Sequence, residues 1–204
     1  MVKLFCRLSA LFYKGNDTMK IILASASPRR RELMNLITCD FTAVSTDADE
    51  TLPDSIPADA SSEYLSQVKA RAAVKSFPDD IVIGCDTVVI LGDTILGKPR
   101  DADQCREYLS MLSGKTHKVI TGCTIIYNGN EHSFRQVTDV TFRTLSNEDI
   151  ECYISTGEPF DKAGGYGIQG KGSLLIESIC GDYFNVVGLP VSRLNQELKS
   201  IIKI

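Results

Sequence analysis

Ile21-Ile22-Leu23-Ala24-Ser25-Ala26-Ser27-Pro28-Arg29-Arg30-Arg31-Glu32-Leu33-Met34 sets a short apolar run directly before a Ser-Pro step and three arginines. An apolar run of this length reads as a buried strand. Ser27 then supplies a helix N-cap, and Pro28 a first helical residue whose φ is already set. A strand therefore runs straight into a helix N-terminus, with its unpaired N–H groups and the positive end of the helix dipole. Two serine hydroxyls precede that terminus and three guanidinium groups follow it, which makes an anion socket suited to phosphates. Arginines in a first turn oppose the dipole, where a purely structural helix more often carries Asp or Glu. A solvated basic face is the competing reading.

Outward from this stretch, Leu33, Leu36 and Ile37 form the expected inner face of the first helix, and Phe41 to Val44 suggest a second strand. An acidic loop follows between Thr46 and Pro57, carrying Asp47, Asp49, Glu50 and Asp54. It reads either as a solvated loop or as a source of oxygen ligands for a hard metal. From Ala60 to Lys75 the spacing of Leu65, Val68 and Ala72 predicts an amphipathic helix. Lys69 falls near that apolar face, so it either snorkels or points into a cleft.

The run Ile81 to Leu91 predicts a central strand buried on both faces, with Asp86 in its middle. An isolated carboxylate there costs several kcal/mol unless it meets a cation, a metal or donors, so Asp86 has a partner. A structural Asp–Lys pair is one explanation. The other is a reactive site, where carboxylates in unfavourable surroundings concentrate. Gly92-Asp93 turns the chain into Thr94-Ile95-Leu96, and Gly97-Lys98-Pro99 then brings a second lysine back toward Asp86. Residues 101–112 predict a helix with Cys105, Tyr108, Leu109 and Leu112 inward. Two strands, 116–127 and 131–143, are joined at Asn128-Gly129, the dipeptide of a type I′ turn.

Ser146 and Asp149 form a variant capping box with Leu145 and Ile150 as a staple, and this helix stops at Gly157 before Pro159. The run Asp161 to Gly172 interleaves five glycines with Tyr166, Ile168 and Gln169, as backbone drawn close to a ligand would require. Leu174 to Ile179 predict a strand, Gly181 to Pro190 a loop, and Val191, Leu194, Leu198 and Ile201 a closing helix.

The 204 residues are 43% hydrophobic and 24% charged, which suits one globular domain with a sizeable core. A formal charge of -4 argues against a dedicated nucleic-acid binder. Seven scattered cysteines with no C-x-x-C pair, and only two histidines, argue against a zinc site or a disulfide framework and for a reducing, cytoplasmic setting. No apolar run approaches membrane-spanning length. Residues 1–18 carry Lys3, Arg7 and Lys14 among apolar residues, and Arg7 interrupts the core that a signal peptide needs. The expectation is that Met19 is the natural start, with 1–18 an upstream, disordered extension and 19–204 one domain; a targeting presequence is the alternative.

The cations at Arg29, Arg30, Arg31, Lys69 and Lys98, with the acidic loop, Asp86 and Gln169, suit a polyphosphate and a divalent metal. The Walker A spacing is absent, and the glycine-rich run lacks the strand–turn–helix frame of a dinucleotide fingerprint. Five ordered blocks resemble the Maf family of nucleotide pyrophosphatases: Ala24 to Arg30, Cys85 to Val89, Gly97 to Pro99, Asp161 to Gly170, and Gly181-Asp182-Tyr183 through Pro190. The resemblance implies an elongated mixed α/β fold, its twisted sheet flanked by helices, with two lobes and a central cleft as in inosine triphosphate pyrophosphatases, commonly as a homodimer. It implies hydrolysis of nucleoside triphosphates to monophosphate and pyrophosphate with Mg²⁺ or Mn²⁺. By motif, Asp86 would accept the proton of water attacking the α-phosphorus, while Ser25, Arg30, Lys69 and Lys98 would hold phosphates. Glu50, with Asp86, would lie at the metal. Arg29, Thr87 and Gln169 resemble the dTTP/UTP branch, where these positions shape base selection. The 7-methyl-GTP branch instead carries Trp beside the first Arg and Gln after the catalytic Asp. Two other readings remain: a non-enzymatic nucleic-acid-binding or septum-formation regulator, and a purine house-cleaning enzyme on the same scaffold.

Overall fold

A computed structural model describes residues 13–14, 17–18 and 20–202. Within the expected extension, β1 (Tyr13–Lys14) and β2 (Asp17–Thr18) pair antiparallel; the other residues of 1–18, and Met19, lie outside the described residues.

The main sheet begins with β3 (Ile21–Ala24), buried at every position, which leads through Ser25–Ser27 into α1 (Pro28–Met34). The Ser27 side chain accepts from the Arg30 N–H at 3.4 Å, so the predicted cap is in place. Strand β4 (Thr42–Val44) returns parallel to β3. After an irregular loop comes α2 (Ser61–Val74), then β5 (Ile81–Leu91) and its hairpin partner β6 (Thr94–Leu96). Helix α3 (Ala102–Leu112) precedes the long hairpin of β7 (Thr116–Tyr127) and β8 (Asn130–Phe142). Asn128 and Gly129 both have positive φ (48° and 73°), as a type I′ turn requires. Helix α4 (Asn147–Ile154) carries the full Ser146–Asp149 capping box; β9 (Ile176–Cys180), α5 (Tyr183–Val187) and α6 (Val191–Ile202) complete the chain.

The result is a seven-stranded mixed sheet flanked by helices, ordered β4-β3-β5-β7-β8-β9 with β6 also on β5. Strands β4, β3 and β5 run parallel, whereas β6, β7, β8 and β9 join by antiparallel pairing. Two large cores lie at its ends. Ile21, Leu23, Ile83, Leu194 and Leu198 belong to one; Val89, Leu109, Phe142, Ile150 and Tyr166 belong to the other.

Strand β5 sets the geometry. Along one edge β7 pairs with residues 82–90. On the opposite edge β3 pairs only as far as Gly84 and β6 only from Val89. Among the described residues Cys85 to Val88 therefore have no neighbouring strand on that side, and Asp86 and Thr87 sit in this gap, just beyond the carboxyl end of β3. Crevices of this kind, at the carboxyl ends of parallel strands, are where open α/β sheets bind ligands.

Four expectations are corrected. Helix α2 does not turn Leu65, Val68 and Ala72 inward; its buried residues are Ser61, Ser62, Ser66, Ala70 and Ala73. It lies flush on the sheet because β5 and β7 offer glycine beneath it. A Cβ on Gly84 would come within 2.2 Å of the Ser66 carbonyl oxygen, and one on Gly122 within 2.3 Å of that of Ser62. Leu36 is 59% exposed, because α1 ends at Met34 and only Leu33, Met34 and Ile37 reach the core. The strand expected at Leu174–Ile179 starts at Ile176, after a 3-10 helical stretch over Gly170–Leu175. Within the expected loop Gly181–Pro190, Asp182 caps Phe184 at 2.8 Å and starts α5, which Gly188 ends at φ 124°.

Candidate active site

A cavity of about 470 Å³ opens at the β5 gap, within the range of roughly 300–1,000 Å³ usual for small-molecule sites. Its wall includes Ser25, Arg29, Arg30, Glu50, Lys69, Asp86, Thr87, Lys98 and Gln169, so the residues that the family resemblance assigns to the site all border the same space. Arg31 is not among them; it is exposed and donates to the Ala26 carbonyl. Five side-chain cations and three carboxylates face the cavity, a local positive balance in a chain whose formal charge is -4.

Asp86 has the partner its burial demands. Lys69 Nζ lies 2.5 Å from Asp86 Oδ1 and 3.0 Å from Glu50 Oε2. The Lys69 and Asp86 side chains are about one-eighth exposed, at 12% and 13%, whereas Glu50 reaches in from the irregular loop and stays 52% exposed. The lysine does not take Asp86 away from the anion socket, since both border the cavity along with Ser25–Pro28.

Arg30 is fixed before any ligand arrives. Its Nε donates to the Gly188 carbonyl (2.9 Å), Nη1 to Ser25 Oγ (3.2 Å) and Nη2 to Thr87 Oγ1 (3.0 Å). A guanidinium has five N–H groups, so one on each terminal nitrogen remains for an incoming oxyanion. Thr87 shares its hydroxyl with Thr121 Oγ1 at 2.9 Å, so its side chain is committed to holding Arg30. Lys98 and Gln169, both exposed on the wall, make no side-chain hydrogen bond or ion pair among the described residues.

Asp161 and Lys162, which have no role of their own in the sequence reading, also border the cavity. Asp161 accepts from Arg29 Nη1 at 2.8 Å and from Lys162 Nζ at 2.6 Å. Burial acts to raise the Asp161 pKa, but its hydrogen bonds to Lys162 and Arg29 and their charges prevail and hold it at about 2. Through this pair the start of α1 is joined to the glycine-rich segment, 132 residues further along the chain. The signal available was the charged Asp161-Lys162 pair opening that segment. The close approaches of its glycines are to the protein itself: Gly164, at φ 69°, sits where a Cβ would lie 2.9 Å from Val89 Cγ1, and Gly167 lies under the Lys162 stem. Tyr166, also on the wall, meets His117 Nε2 at 2.6 Å behind it, and burial depresses the His117 pKa to about 4.

Asn185 positions another wall from behind. Wholly buried, it accepts from the Thr121 N–H (3.1 Å) and donates to the Val119 carbonyl (3.0 Å) and Thr138 Oγ1 (2.9 Å). This docks α5 on the sheet and places Val186, Val187 and Gly188 at the cavity.

A family model described as Maf-like protein matches residues 20–201. Proteins named dTTP/UTP pyrophosphatase are similar over most of their length. The one from Bacillus cereus is 49% identical over 88% of this chain and 94% of its own. Those from Bacillus cytotoxicus (48%; 88% and 94%) and Bacillus velezensis (43%; 89% and 96%) match to a similar extent. A solved structure, protein VC0702 from Vibrio cholerae, overlaps 67% of this chain and 70% of its own at 12% identity and TM-score 0.33, too distant to carry an argument. With a cleft built from the five sequence blocks, a family model spanning nearly all described residues and relatives near half identity, the chain belongs to the Maf-like family.

Proposed function

We propose that this chain hydrolyses dTTP, UTP and related pyrimidine nucleoside triphosphates to the monophosphate and pyrophosphate. Its relatives carry the name of that activity. The observation that carries the reading is the placement of Asp86 and Lys69 on the same cavity wall as the Ser25–Arg30 socket.

In this reading the triphosphate lies along the cations. Arg30 presents its two remaining N–H groups to phosphate oxygens, with Ser25 and Thr87 keeping the guanidinium in place, and Lys98 and Lys69 meet further oxygens. Asp86 takes a proton from water as the water oxygen attacks the α-phosphorus, and the bond to the bridging oxygen breaks to release pyrophosphate. Fixed donors aimed at phosphate oxygens need no reorganisation during the reaction, which is where most catalytic electrostatics resides. Gln169 offers an acceptor and a donor together to the carbonyl and imide N–H of a uracil-type edge, and Arg29, tethered to Asp161, borders the same region.

Asp86 and Glu50 are the residues that would hold Mg²⁺ or Mn²⁺, since both carboxylates converge on one point at Lys69 Nζ. Among the described residues no group of three or more His, Cys, Asp or Glu forms a cage. That donor set fits a cation such as Mg²⁺, which commonly takes one or two carboxylates and completes its shell with substrate phosphates and water. Once bound, it offsets phosphate charge and acidifies a water molecule. The reading also includes a homodimer and a cytoplasmic setting. The first rests on the family resemblance; the second is supported by the buried Cys85 and Cys123, which remain free thiols sharing an S–H···S hydrogen bond at 3.6 Å.

The test is the product. Purified protein given UTP or dTTP with Mg²⁺ should release pyrophosphate, and Asp86→Asn should lose at least ~10²-fold in turnover while still binding nucleotide. Orthophosphate as the first product would place attack at the terminal phosphorus and reject the scheme. A nucleotide panel separates the purine alternative.

A further inference from the structure

We propose that Lys69 is a stand-in cation: it holds Asp86 and Glu50 together in the free protein, keeps divalent metal off them, and releases them only when nucleotide phosphates engage its ammonium group. The inference rests on the metal assignment above and goes beyond it, because it fixes the order in which the site fills.

Lys69 Nζ touches both carboxylates, at 2.5 and 3.0 Å, so it occupies the point that a shared metal ion would need. Two carboxylates converging on one point, Asp86 nearly buried and Glu50 half exposed, repel each other, and a cation between them offsets that repulsion. With Lys69 there, a divalent ion must displace an ammonium that is already paired, at the end of a side chain only 12% exposed, so the free protein holds metal weakly. The geometry also provides the exchange. Lys69 projects from α2, whose backbone is seated directly on Gly84 and Gly122 of the sheet, and its flexible four-carbon stem can carry the ammonium elsewhere without any shift of the helix. Phosphate oxygens arriving beside Ser25 and Arg30 offer it a new partner on the same cavity wall. Glu50 sits on an irregular loop at half exposure, so it can follow an incoming ion. Asp86, on the central strand, stays where it is. Asp86 and Glu50 would then be open to a divalent ion only while nucleotide holds the Lys69 ammonium, and between turnovers Lys69 returns to them.

The experiment is Mn²⁺ binding followed by electron paramagnetic resonance of the free ion, a readout independent of turnover. It uses the full chain, alone and with α,β-imido-UTP, after correction for Mn²⁺ held by the analogue itself. Wild type should bind Mn²⁺ at least ten times more tightly with the analogue than without it. Lys69→Gln, without analogue, should bind Mn²⁺ at least ten times more tightly than wild type alone, and adding Glu50→Gln should cancel that gain. Lys69→Arg keeps the positive charge and should exclude Mn²⁺ from the free protein as wild type does. Thermal melts confirm that each variant is folded; if Lys69→Gln is not, Lys69→Met and the wild-type comparison carry the test. A folded Lys69→Gln that binds Mn²⁺ no better than wild type overturns the stand-in role while leaving the metal assignment intact. Wild type that retains no Mn²⁺ with the analogue refutes the metal assignment, and the stand-in role with it.

Discussion

Replacing Gly84 by alanine tests whether the height of helix α2 above the sheet controls the site. The added Cβ would lie 2.2 Å from the Ser66 carbonyl oxygen, 2.7 Å from the Ala70 nitrogen and 2.9 Å from Ala70 Cβ. Ordinary contact begins near 3.4 Å, and the first two obstacles are backbone, so no rotamer change relieves them. The helix must lift by about 1 Å at its middle, and Lys69, one residue from Ala70, lifts with it. Overpacking of this kind costs about 1–3 kcal/mol. For a chain of this size that is a fall in Tm of roughly 2–12 °C. The catalytic cost is of the same order, because misplacing a site by about 1 Å can cost ~10²-fold in rate, or about 2.7 kcal/mol. The assay is paired: thermal unfolding, and pyrophosphate release from UTP at saturating nucleotide. Gly97→Ala is the stability control, since its Cβ meets nothing within 4 Å and it should stay within about 0.5 kcal/mol of wild type. A Gly84→Ala protein with wild-type Tm and wild-type turnover would refute the argument that the seam positions Lys69.

His117 gives a pH dependence with a definite sign. Its folded pKa, about 4, lies below the ordinary value of 6.5, so the unfolded chain binds the proton first; the contribution is complete above pH 6.5, shrinks as pH falls to about 4 and is flat below. At about 1.4 kcal/mol per pKa unit this amounts to about 3 kcal/mol. Denaturant melts at pH 7.5 and 4.5, which span most of that window, should differ by about 2.5 kcal/mol more in wild type than in His117→Phe, and parallel profiles would dismiss the assignment. Asn185→Ala removes three buried side-chain hydrogen bonds and strips the Thr121 N–H and the Val119 carbonyl on β7 of their Asn185 partner, while Thr138 Oγ1 keeps its bond to the Asp182 carbonyl. At about 1–3 kcal/mol for each of these two orphaned groups, the loss should reach at least ~2 kcal/mol in urea unfolding at unchanged m; a loss below ~1 kcal/mol would mean that α5 is docked by other contacts.

What could be read from the sequence was what short segments decide for themselves. Ser27 and Pro28 start a helix by cap geometry, Asn128-Gly129 closes a hairpin by its tolerance of positive φ, and Ser146 with Asp149 forms a cap across three residues. Asp86 could be picked out because a carboxylate amid Ile, Val and Cys has no cheap explanation. The inner face of α2 could not be read in this way. Apolar periodicity scores Leu65 and Val68 as core and Ser62 and Ser66 as surface, whereas the packing is decided by Gly84 and Gly122 on two other strands, which become neighbours only when β5 and β7 pair. The Asp161 bond to Arg29 was hidden for the same reason, its partners being separated by most of the chain. Helix α5 escaped because five residues with a single capping Asp carry too little pattern to outweigh the glycines at either end.

The interruption beside β5, from Cys85 to Val88, has a practical side. A sheet edge one strand short is a natural landing place for an extended segment of another molecule, and ordinary proteins blunt such edges with charge. Here the bluntness comes from Lys69, Asp86, Arg30 and Glu50, the same groups that give the cleft its chemistry. Stripping several of them at once, as in multiply neutralised variants, exposes a sticky slot flanked by valine and isoleucine, so those preparations are the ones to watch for self-association as concentration rises.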